Sequence, residues 1–407
     1  MLFKPTASKS AIIIGIIIPL LLALRFAPKT VLVLTNDKNK NCQKFLVVQP
    51  SKDYSCSLEE IMTWASYKKN AIQEAKKLKK SASFLDKFLQ YAKPLFDKGV
   101  PIIVDSKHFA KLVGFEHDYV CKMAFGTKYF YRTFYIDKKN GAKRKIDEPL
   151  PDLKFVQHWI LKEILSKIPV SAYAKAYEKN KSIKDNARFH RGQKAVVTID
   201  IKDFFPSVRL DDVYAIFVEI GYRDKVASFL ANLCCLDFSL PQGAPTSPYL
   251  SNLKMTNIDA NLGNYCVSKR WRYTRYADDM TFSGDLKSRE LILHVSKYLY
   301  CNGFSVNSQK TRVAHKNTRQ EVTGIVVNNH MQVSKDLRKK IRQQVYYIKK
   351  YGLNSHLDYI GEKRRNYLNH LLGVINHALF INPKDAELQE SMEFLKCLLL
   401  TRSDLTE

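Results

Sequence analysis

Apolar and polar residues alternate along this chain with two different periods, and the period predicts which segments are strands and which are helices. Residues 129–136 are aromatic and β-branched, a polar turn follows, and the basic residues 143–146 lead on to Pro149. This pattern predicts a β-hairpin with a basic second strand. Apolar residues three and four positions apart predict amphipathic helices over 153–168 and 337–350, the second with lysine and arginine on its remaining surface.

Two other apolar segments end in carboxylates. Residues 195–199 are typical of a buried strand that leads into Asp200, and residues 273–282 form two short β-rich runs with Asp278 and Asp279 between them. Adjacent carboxylates in an apolar setting repel each other unless cations neutralise them, and Mg²⁺ prefers oxygen ligands. If the segments are neighbouring strands, Asp200 and Asp278 can bridge two ions ~3.5–4 Å apart, an arrangement suited to phosphoryl transfer. Taken alone, two aspartates in a turn are more often a solvated surface feature.

An uninterrupted apolar run of 14 residues lies near the N-terminus at 11–24, with Arg25 and Lys29 soon after it. It is shorter than the ~20 residues of a spanning helix, and no cleavage site typical of a signal peptide follows it. Two interpretations stay open. The run is either a short or tilted anchor in the inner membrane that leaves the rest of the chain in the cytoplasm, or a buried segment of a small N-terminal domain.

The charge balance narrows the classes of function. The chain has 407 residues, which suggests two or three domains at roughly 150 residues each. Its 66 lysines and arginines against 39 aspartates and glutamates give a net charge of +27, which predicts a polyanionic partner, either nucleic acid or an anionic membrane surface. The eight cysteines form no C-x-x-C pair, which disfavours a disulfide-rich secreted protein and a zinc finger and favours reduced thiols in the cytoplasm.

Three motifs in a fixed order resemble those of reverse transcriptases. Residues 276–279 read Y-A-D-D, residues 200–208 read D-I-K-D-F-F-P-S-V, and residues 240–248 between them read L-P-Q-G-A-P-T-S-P. Two further motifs are similar to those of the bacterial retron branch, namely N-A-x-x-H at 186–190 and V-T-G at 322–324. Motifs of this length in the right order are specific, so the chain is identified as resembling retron-type reverse transcriptases.

The resemblance implies an α+β fold of the right-hand polymerase type and covers roughly residues 100–390. Fingers and palm are expected at 100–330 and a helical thumb at 331–395, after an N-terminal extension at 1–99 that the resemblance does not reach. The implied enzyme is an RNA-directed DNA polymerase that uses dNTPs and two Mg²⁺ ions. The retron branch further implies a cognate noncoding RNA as template and primer, priming from an internal guanosine 2′-hydroxyl, a branched RNA–DNA product, multicopy single-stranded DNA, and a role in anti-phage defence. An effector protein or a second copy of the chain is a further expected partner.

At matching positions the resemblance also implies roles for single residues. Asp200, Asp278 and Asp279 are expected to be the catalytic metal ligands. Phe205 is expected to exclude a ribose 2′-hydroxyl and so to favour deoxynucleotides, with a core phenylalanine as the alternative. Lys310 is expected either to donate a proton to the departing pyrophosphate or to make a plain phosphate contact.

Other positions are expected to hold the nucleotide or the RNA. Gln242 and Gly243 would lie under the incoming nucleotide, where a glycine permits close backbone approach. Arg144 would clamp the triphosphate, with help from Lys138, Lys139 and Lys143. The residues expected to bind RNA or support the primer end are Asn186, His190, Val322, Thr323 and Gly324. A lone histidine is otherwise more often structural.

Two alternatives stay open beside this interpretation. One is a different bacterial reverse transcriptase, of the defence or group II intron-like kind, although only 12 residues follow the predicted thumb where intron enzymes usually carry a maturase region. The other is a membrane-associated effector or RNA-binding protein whose polymerase fold is inactive. The intact acids Asp200, Asp278 and Asp279 argue against the second alternative.

Overall fold

A computed structural model describes residues 31–34, 45–48, 63–137, 141–364 and 366–403 of the chain. The apolar run at 11–24 and the lysines Lys138 and Lys139 lie outside the described residues. Within the described ranges, no helix combines the length and the apolar character that crossing a membrane requires.

The described chain contains both strands and helices, as an α+β fold requires. The strands are β1 Val31–Leu34, β2 Phe45–Val48, β3 Tyr131–Asp137, β4 Lys143–Pro149, β5 Ala195–Lys202, β6 Arg272–Tyr276, β7 Asp279–Gly284, β8 Ser305–His315, β9 Glu321–Val322 and β10 Ile325–Val326. The helices are α1 Trp64–Lys77, α2 Ala82–Asp97, α3 Ser106–Val113, α4 His117–Phe125, α5 Pro151–Glu163, α6 Ile183–Phe189, α7 Phe204–Ser207, α8 Leu210–Ile220, α9 Asp224–Cys234, α10 Ser247–Lys254, α11 Thr256–Ser268, α12 Ser288–Cys301, α13 Lys335–Tyr351, α14 Leu353–Ile360, α15 Tyr367–Ile381 and α16 Ala386–Ser403.

The local predictions of secondary structure are confirmed, with one change. The basic hairpin is β3 and β4, which pair in antiparallel fashion, and the helix predicted at 337–350 is α13. The helix predicted at 153–168 is shorter: α5 ends at Glu163, and a 3₁₀ helix, Leu165–Lys167, follows before Pro169. A tighter 3₁₀ turn is a common way to close the end of an α-helix.

The chain divides into two compact units. The first contains residues up to Pro169 together with Val208–Ser251, and the second contains Val170–Ser207 together with Asn252–Glu407. The domain boundaries expected from the sequence, at 99/100 and 330/331, stay predictions.

In the first unit, helices and the β3–β4 hairpin surround an aromatic and aliphatic core. The ring of Phe109 meets the rings of Trp159 and Phe229 edge-on, at centroid distances of 5.4 and 5.8 Å. The polar side chain of Gln157 is fully buried, and its Nε2 donates to the Tyr131 hydroxyl and to the Leu233 carbonyl, each at 2.8 Å. These hydrogen bonds tie α5 to both β3 and α9.

The second unit is built on an antiparallel four-stranded sheet in the order β6-β7-β5-β8. Helix α11 packs against β6, and α12 packs against β8. The C-terminal helices α13, α15 and α16 share one apolar core, in which Ile341 and Val345 lie with Leu371 and Ile375. This core extends to Val322 beside the sheet, so the helical module and the V-T-G motif belong to one packed body.

Candidate active site

The sheet of the second unit brings the predicted carboxylates together. Asp200 lies directly opposite Asp279 in the antiparallel pairing of β5 with β7, and the backbone N–H of Ile201 donates to the carbonyl of Asp278 at 3.0 Å. The expectation that the two acidic segments are neighbouring strands is therefore confirmed. Because Asp200 is buried, its carboxylate adds negative charge where water screens little.

The electrostatics of this acidic cluster favour a cation. The pKa of Asp279 is raised to about 6, first by burial and then by the neighbouring charges of Asp278 and Asp200, against the lowering effect of Lys310 and Arg312. Carboxylate oxygens of this kind are the ligands that Mg²⁺ accepts. In the described ranges, no three acidic, histidine or cysteine side chains stand ready around a metal position. The donor chemistry fits Mg²⁺, and the coordination itself remains a proposal.

A lysine ammonium already lies against one of the carboxylates. Lys310 Nζ is 3.0 and 2.9 Å from the two carboxylate oxygens of Asp200, and this hydrogen-bonded pair raises the pKa of Lys310. An irregularity in the sheet places the lysine there, since Thr198 lies opposite Arg312 but Asp200 lies opposite Asn307. One residue of β5 therefore stands opposite residues 308–311 of β8, and such a bulge redirects side chains.

The V-T-G motif forms one wall of the cavity beside this cluster. A cavity of about 410 Å³ is lined by Asp279, Lys310 and Arg312 on the sheet and by Thr323 and Gly324. The two motif residues form the turn between β9 and β10, with φ of 46° and 83°. Positive φ at both central positions is typical of a tight hairpin turn, and it holds this turn in one shape at the cavity edge.

A buried arginine supports the Y-A-D-D turn, and sequence reasoning missed it. Arg275 donates from Nε and Nη2 to the two carboxylate oxygens of Asp259, at 2.9 and 2.7 Å. Its Nη1 donates to Asn252 Oδ1 and to the carbonyl of Ala277, both at 3.0 Å. Ala277 has φ of 58°, a left-handed conformation that costs free energy in any residue with a Cβ, so the arginine holds a strained turn. Its strand reads R-Y-T-R-Y, so no local pattern distinguishes the buried Arg275 from the exposed Arg272.

The two phenylalanines of the first palm motif have different surroundings. Phe204 is buried, and its ring packs against Phe304 at 6.1 Å and below the Arg275 guanidinium at 5.9 Å. Phe205 is only half-buried, and its ring lies 6.4 Å from the ring of Tyr177. The core position thus belongs to Phe204. The gating role of Phe205 stays a prediction that its exposure permits.

The N-A-x-x-H residues lie inside the second unit rather than on its surface. Asn186 and His190 are fully buried. The two ring nitrogens of His190 lie 2.7 Å from Ser283 Oγ and 2.7 Å from Thr274 Oγ1, and Thr274 Oγ1 donates to Asn186 Oδ1 at 2.5 Å. Burial first, and then the charges of nearby Arg272 and Lys175, lower the pKa of His190 to about 3. A neutral, enclosed imidazole between two strands supports the sheet, so direct RNA contact by Asn186 and His190 does not match their positions.

Val322 is also fully buried, in the core shared with the C-terminal helices. Of the three V-T-G residues, it is therefore Thr323 and Gly324 that face the cavity.

The remaining predicted nucleotide-binding residues lie together in the first unit. The backbone N–H of Asp147 donates to the carbonyl of Gln242 at 2.9 Å, which joins the L-P-Q-G segment to β4. Gly243 has φ of 137°, and a Cβ there would lie 2.6 Å from the Asp147 carbonyl oxygen, so only glycine allows this approach. Arg144 is exposed on the same strand. Asp147, which sequence reasoning did not single out, is the residue that holds these parts together.

Comparison with known proteins agrees with this geometry. The family described as reverse transcriptase (RNA-dependent DNA polymerase) matches residues 136–350, which is more than half of the chain. The retron Ec86 reverse transcriptase of Escherichia coli is 31% identical over 303 residues, which cover 72% of this chain and 91% of that protein. The retron Mx65 reverse transcriptase of Myxococcus xanthus is 34% identical over 277 residues, 63% of this chain and 62% of the relative.

Among solved structures, telomerase from Candida albicans in complex with a fragment of telomeric RNA aligns with 65% of this chain and 63% of its own, at a TM-score of 0.41 and 11% identity. The family match, which extends over Asp200, Asp278 and Asp279, and the relative from Escherichia coli decide the assignment. This chain belongs to the reverse transcriptase family and is an RNA-directed DNA polymerase of the retron type.

Proposed function

We propose that this enzyme copies a cognate, structured noncoding RNA into DNA and leaves the two joined as multicopy single-stranded DNA, in the service of anti-phage defence. One observation carries the catalytic part of the proposal: Asp200 and Asp279 lie opposite each other, and Asp279 lines the same cavity as the Thr323–Gly324 turn. An acidic cluster beside a rigid turn offers a place for metal ions and a place to rest a primer end. The net charge of +27 supports a nucleic acid as the partner.

The proposed chemistry depends on the three carboxylates. Asp200, Asp278 and Asp279 would hold two Mg²⁺ ions, which when bound activate the attacking hydroxyl and stabilise the charge of the leaving pyrophosphate. The protein contributes by fixing Asp200 and Asp279 on two hydrogen-bonded strands and Asp278 in the turn before the second, because catalysis of phosphoryl transfer is mostly positioning and charge neutralisation.

Lys310 can supply the proton that the departing pyrophosphate accepts. Its raised pKa keeps the side chain charged at neutral pH, and its exposed position lets the ammonium move from Asp200 toward a departing pyrophosphate. We assign it the role of proton donor rather than that of a plain phosphate contact.

The residues that surround the nucleotide have proposed roles that suit their positions. Phe205, which is half-buried with its ring 5.6 Å from that of Phe204, excludes a ribose 2′-hydroxyl. Arg144 binds the triphosphate from β4, and Gln242 and Gly243 present their backbone to the nucleotide. Asn186 and His190 act at a distance, through the strands that they hold in place.

Sequencing of the nucleic acid that copurifies with the full chain tests the proposal. We expect one structured RNA covalently joined to DNA complementary to part of it, and we expect Asp278→Asn to yield the same RNA without DNA. Asp285→Asn is the matched control, since its carboxylate is exposed and pairs with Lys194 on the surface; it should retain the DNA. Undiminished DNA in Asp278→Asn, or DNA unrelated to the bound RNA, would overturn the proposal.

A further inference from the structure

A second cavity lies in the same unit, at a different part of the sheet. It has a volume of about 510 Å³, within the range of small-ligand sites. We call it the basic pocket, and its lining residues are Lys175, Lys181, Asp185, Arg188, Phe189 and Arg272. Arg272 begins β6, and Tyr276 of the Y-A-D-D motif ends it four residue steps further along the extended strand, at ~13 Å, while the backbone of Lys175 in the pocket lining pairs with Arg275. None of the lining residues belongs to the catalytic cluster.

The basic pocket has more positive charge than its own acid can balance. The carboxylate of Asp185 accepts through Oδ2 from the Ser182 N–H at 3.0 Å and from the Ser182 hydroxyl at 2.6 Å, and these hydrogen bonds together with the nearby charges of Arg188 and Lys175 lower its pKa. In the part of the chain that the structure describes, Lys175, Arg188 and Arg272 form no ion pair with a carboxylate. Lys181 Nζ lies 3.8 Å from a carboxylate oxygen of Glu178, so four cations face two acids, and the remaining excess of positive charge makes a site for an anion.

The surroundings of Lys175 agree with this excess of charge. Burial lowers its pKa, and the nearby charge of Lys181 lowers it further. Both ammonium groups are held at the pocket by backbone carbonyls: Lys175 Nζ donates to Ala172 at 2.8 Å, and Lys181 Nζ donates to Ala174 at 3.2 Å. An anion between the two would relieve their repulsion without a rearrangement of the chain.

An exposed aromatic ring lies beside these cations. Phe189 is 45% exposed at the end of α6. The Arg272 guanidinium lies 5.8 Å from its ring centroid, and Arg272 Nη1 donates to the Phe189 carbonyl at 2.7 Å. A ring held in this way next to lysine and arginine combines a stacking surface with phosphate-binding groups, which is the combination that single-stranded nucleic acids require.

The N-A-x-x-H motif has two faces. Asn186, Ala187 and His190 are buried and support the sheet, while the two intervening residues, Arg188 and Phe189, are exposed at the basic pocket. The segment that contains Lys175, on the other side of the pocket, is also held in place, because the Lys175 N–H donates to the Arg275 carbonyl at 2.8 Å. A ligand therefore meets a preformed site, which lowers the entropic cost of binding.

We propose that the basic pocket binds one single-stranded nucleotide unit of the cognate RNA, with its phosphate on Lys175, Lys181 and Arg188 and its base stacked on Phe189. This inference rests on the proposed use of a cognate RNA. The pocket anchors the RNA on residues outside the catalytic cluster, and the two exposed residues within the motif select what is anchored.

Photo-crosslinking of the full chain separates this inference from the proposed function. Cells that make the protein are fed 4-thiouridine and irradiated, the crosslinked peptides are identified by mass spectrometry, and the attached RNA is sequenced. We expect a crosslink within the peptide that contains Arg188 and Phe189, on one RNA species. One RNA species with no crosslink in that peptide overturns the pocket and leaves the proposed function standing. A crosslink there on many unrelated RNAs overturns the cognate RNA and leaves the pocket standing.

Salt titration of RNA binding then tests the two kinds of contact, with the RNA recovered from the wild-type chain as the probe. Arg188→Ala should weaken binding and reduce the slope of log affinity against log salt by about 0.7, the value for one phosphate contact on a single strand. Phe189→Leu keeps an apolar side chain but removes the ring, and should weaken binding about 5- to 150-fold with the slope unchanged. Lys297→Ala, an exposed lysine on α12, should change neither quantity. Wild-type affinity in both pocket variants would overturn the proposal.

Discussion

Two ion pairs in the second unit show how burial decides whether a pair of charges supports the structure or takes part in chemistry. Arg275 and Asp259 have side chains that are 0% exposed, whereas the side chain of Lys310 is 60% exposed above the buried Asp200. The first pair is bidentate and also holds the Y-A-D-D turn. The second pair has a single ammonium on one carboxylate. A buried pair cannot exchange its partner for water, so it acts as framework, while a half-exposed pair can open and take part in chemistry.

The largest effect is expected from the buried pair. Arg275→Met leaves the Asp259 carboxylate uncompensated in the core, and we expect the free energy of unfolding to fall by about 3–5 kcal/mol. The variant should also lose DNA synthesis, because the Ala277 carbonyl loses its donor and the strained turn relaxes. Urea denaturation and dNTP incorporation on an RNA template measure the two effects.

A double variant separates the effect of Arg275 on stability from its effect on the Y-A-D-D turn. Arg275→Met with Asp259→Leu removes both charges, and an apolar replacement of a buried pair is often close to neutral in stability. We expect stability to recover while synthesis stays low. Recovery of full synthesis would mean that the arginine does not hold the turn and that the buried pair contributes to stability alone.

The half-exposed pair should behave in the opposite way. Lys310→Ala is expected to change the free energy of unfolding by less than about 1 kcal/mol, since such pairs contribute little to stability. It should lower the rate constant for nucleotide incorporation about 100-fold, the usual contribution of a positioned proton donor. Lys310→Arg keeps the charge but hardly releases a proton. If it restores the rate in rapid-quench measurements, Lys310 acts as a phosphate contact and not as a proton donor.

His190 extends the comparison to a buried group whose hydrogen-bond partners are the hydroxyl groups of Ser283 and Thr274. The pKa of His190 is about 3 in the folded chain and has its ordinary value near 6.5 in the unfolded chain, so above pH 6.5 the imidazole is neutral in both states. Below pH 6.5, the unfolded chain binds a proton at this residue that the folded chain does not. The free energy of unfolding therefore falls as the pH drops toward 3, by about 1.4 kcal/mol per pH unit from this residue.

Urea denaturation between pH 7 and pH 4 measures this dependence. Because other groups also titrate there, the wild-type chain is compared with His190→Gln, whose amide can still hydrogen-bond to Thr274 and Ser283. The variant should show a shallower loss of stability with falling pH. Equal slopes would show that burial does not keep the imidazole neutral.

The sequence predicts the catalytic carboxylates well because the features that position them are local. A buried strand that ends in Asp200, and two short strands joined at Asp278 and Asp279, can be inferred from a few neighbouring residues. The strand bulge that brings Lys310 to Asp200 depends on the register between β5 and β8, which the local pattern does not encode.

The supporting interactions could not be predicted for the same reason. Arg275 and Asp259 are 16 positions apart, and their pairing depends on how α11 packs against β6. The basic pocket joins Lys175, Arg188 and Arg272, whose distance along the chain hides their proximity. The resemblance assigned Asn186 and His190 to RNA contact because a motif identifies positions and does not say which way its side chains face.

The two outer strands of the four-stranded sheet have a consequence for solubility. An open strand edge is a template on which a second chain can add, and this is a route to aggregation. The edge of β6 is covered by its own chain, since Ala174 bridges to Arg275 and the Lys175 N–H donates to the Arg275 carbonyl. The edge of β8 has the bulge at 308–311 and the charges of Lys310 and Arg312, two features that discourage a docking strand. The irregular backbone that positions a lysine beside the carboxylates thus also protects the sheet from self-association.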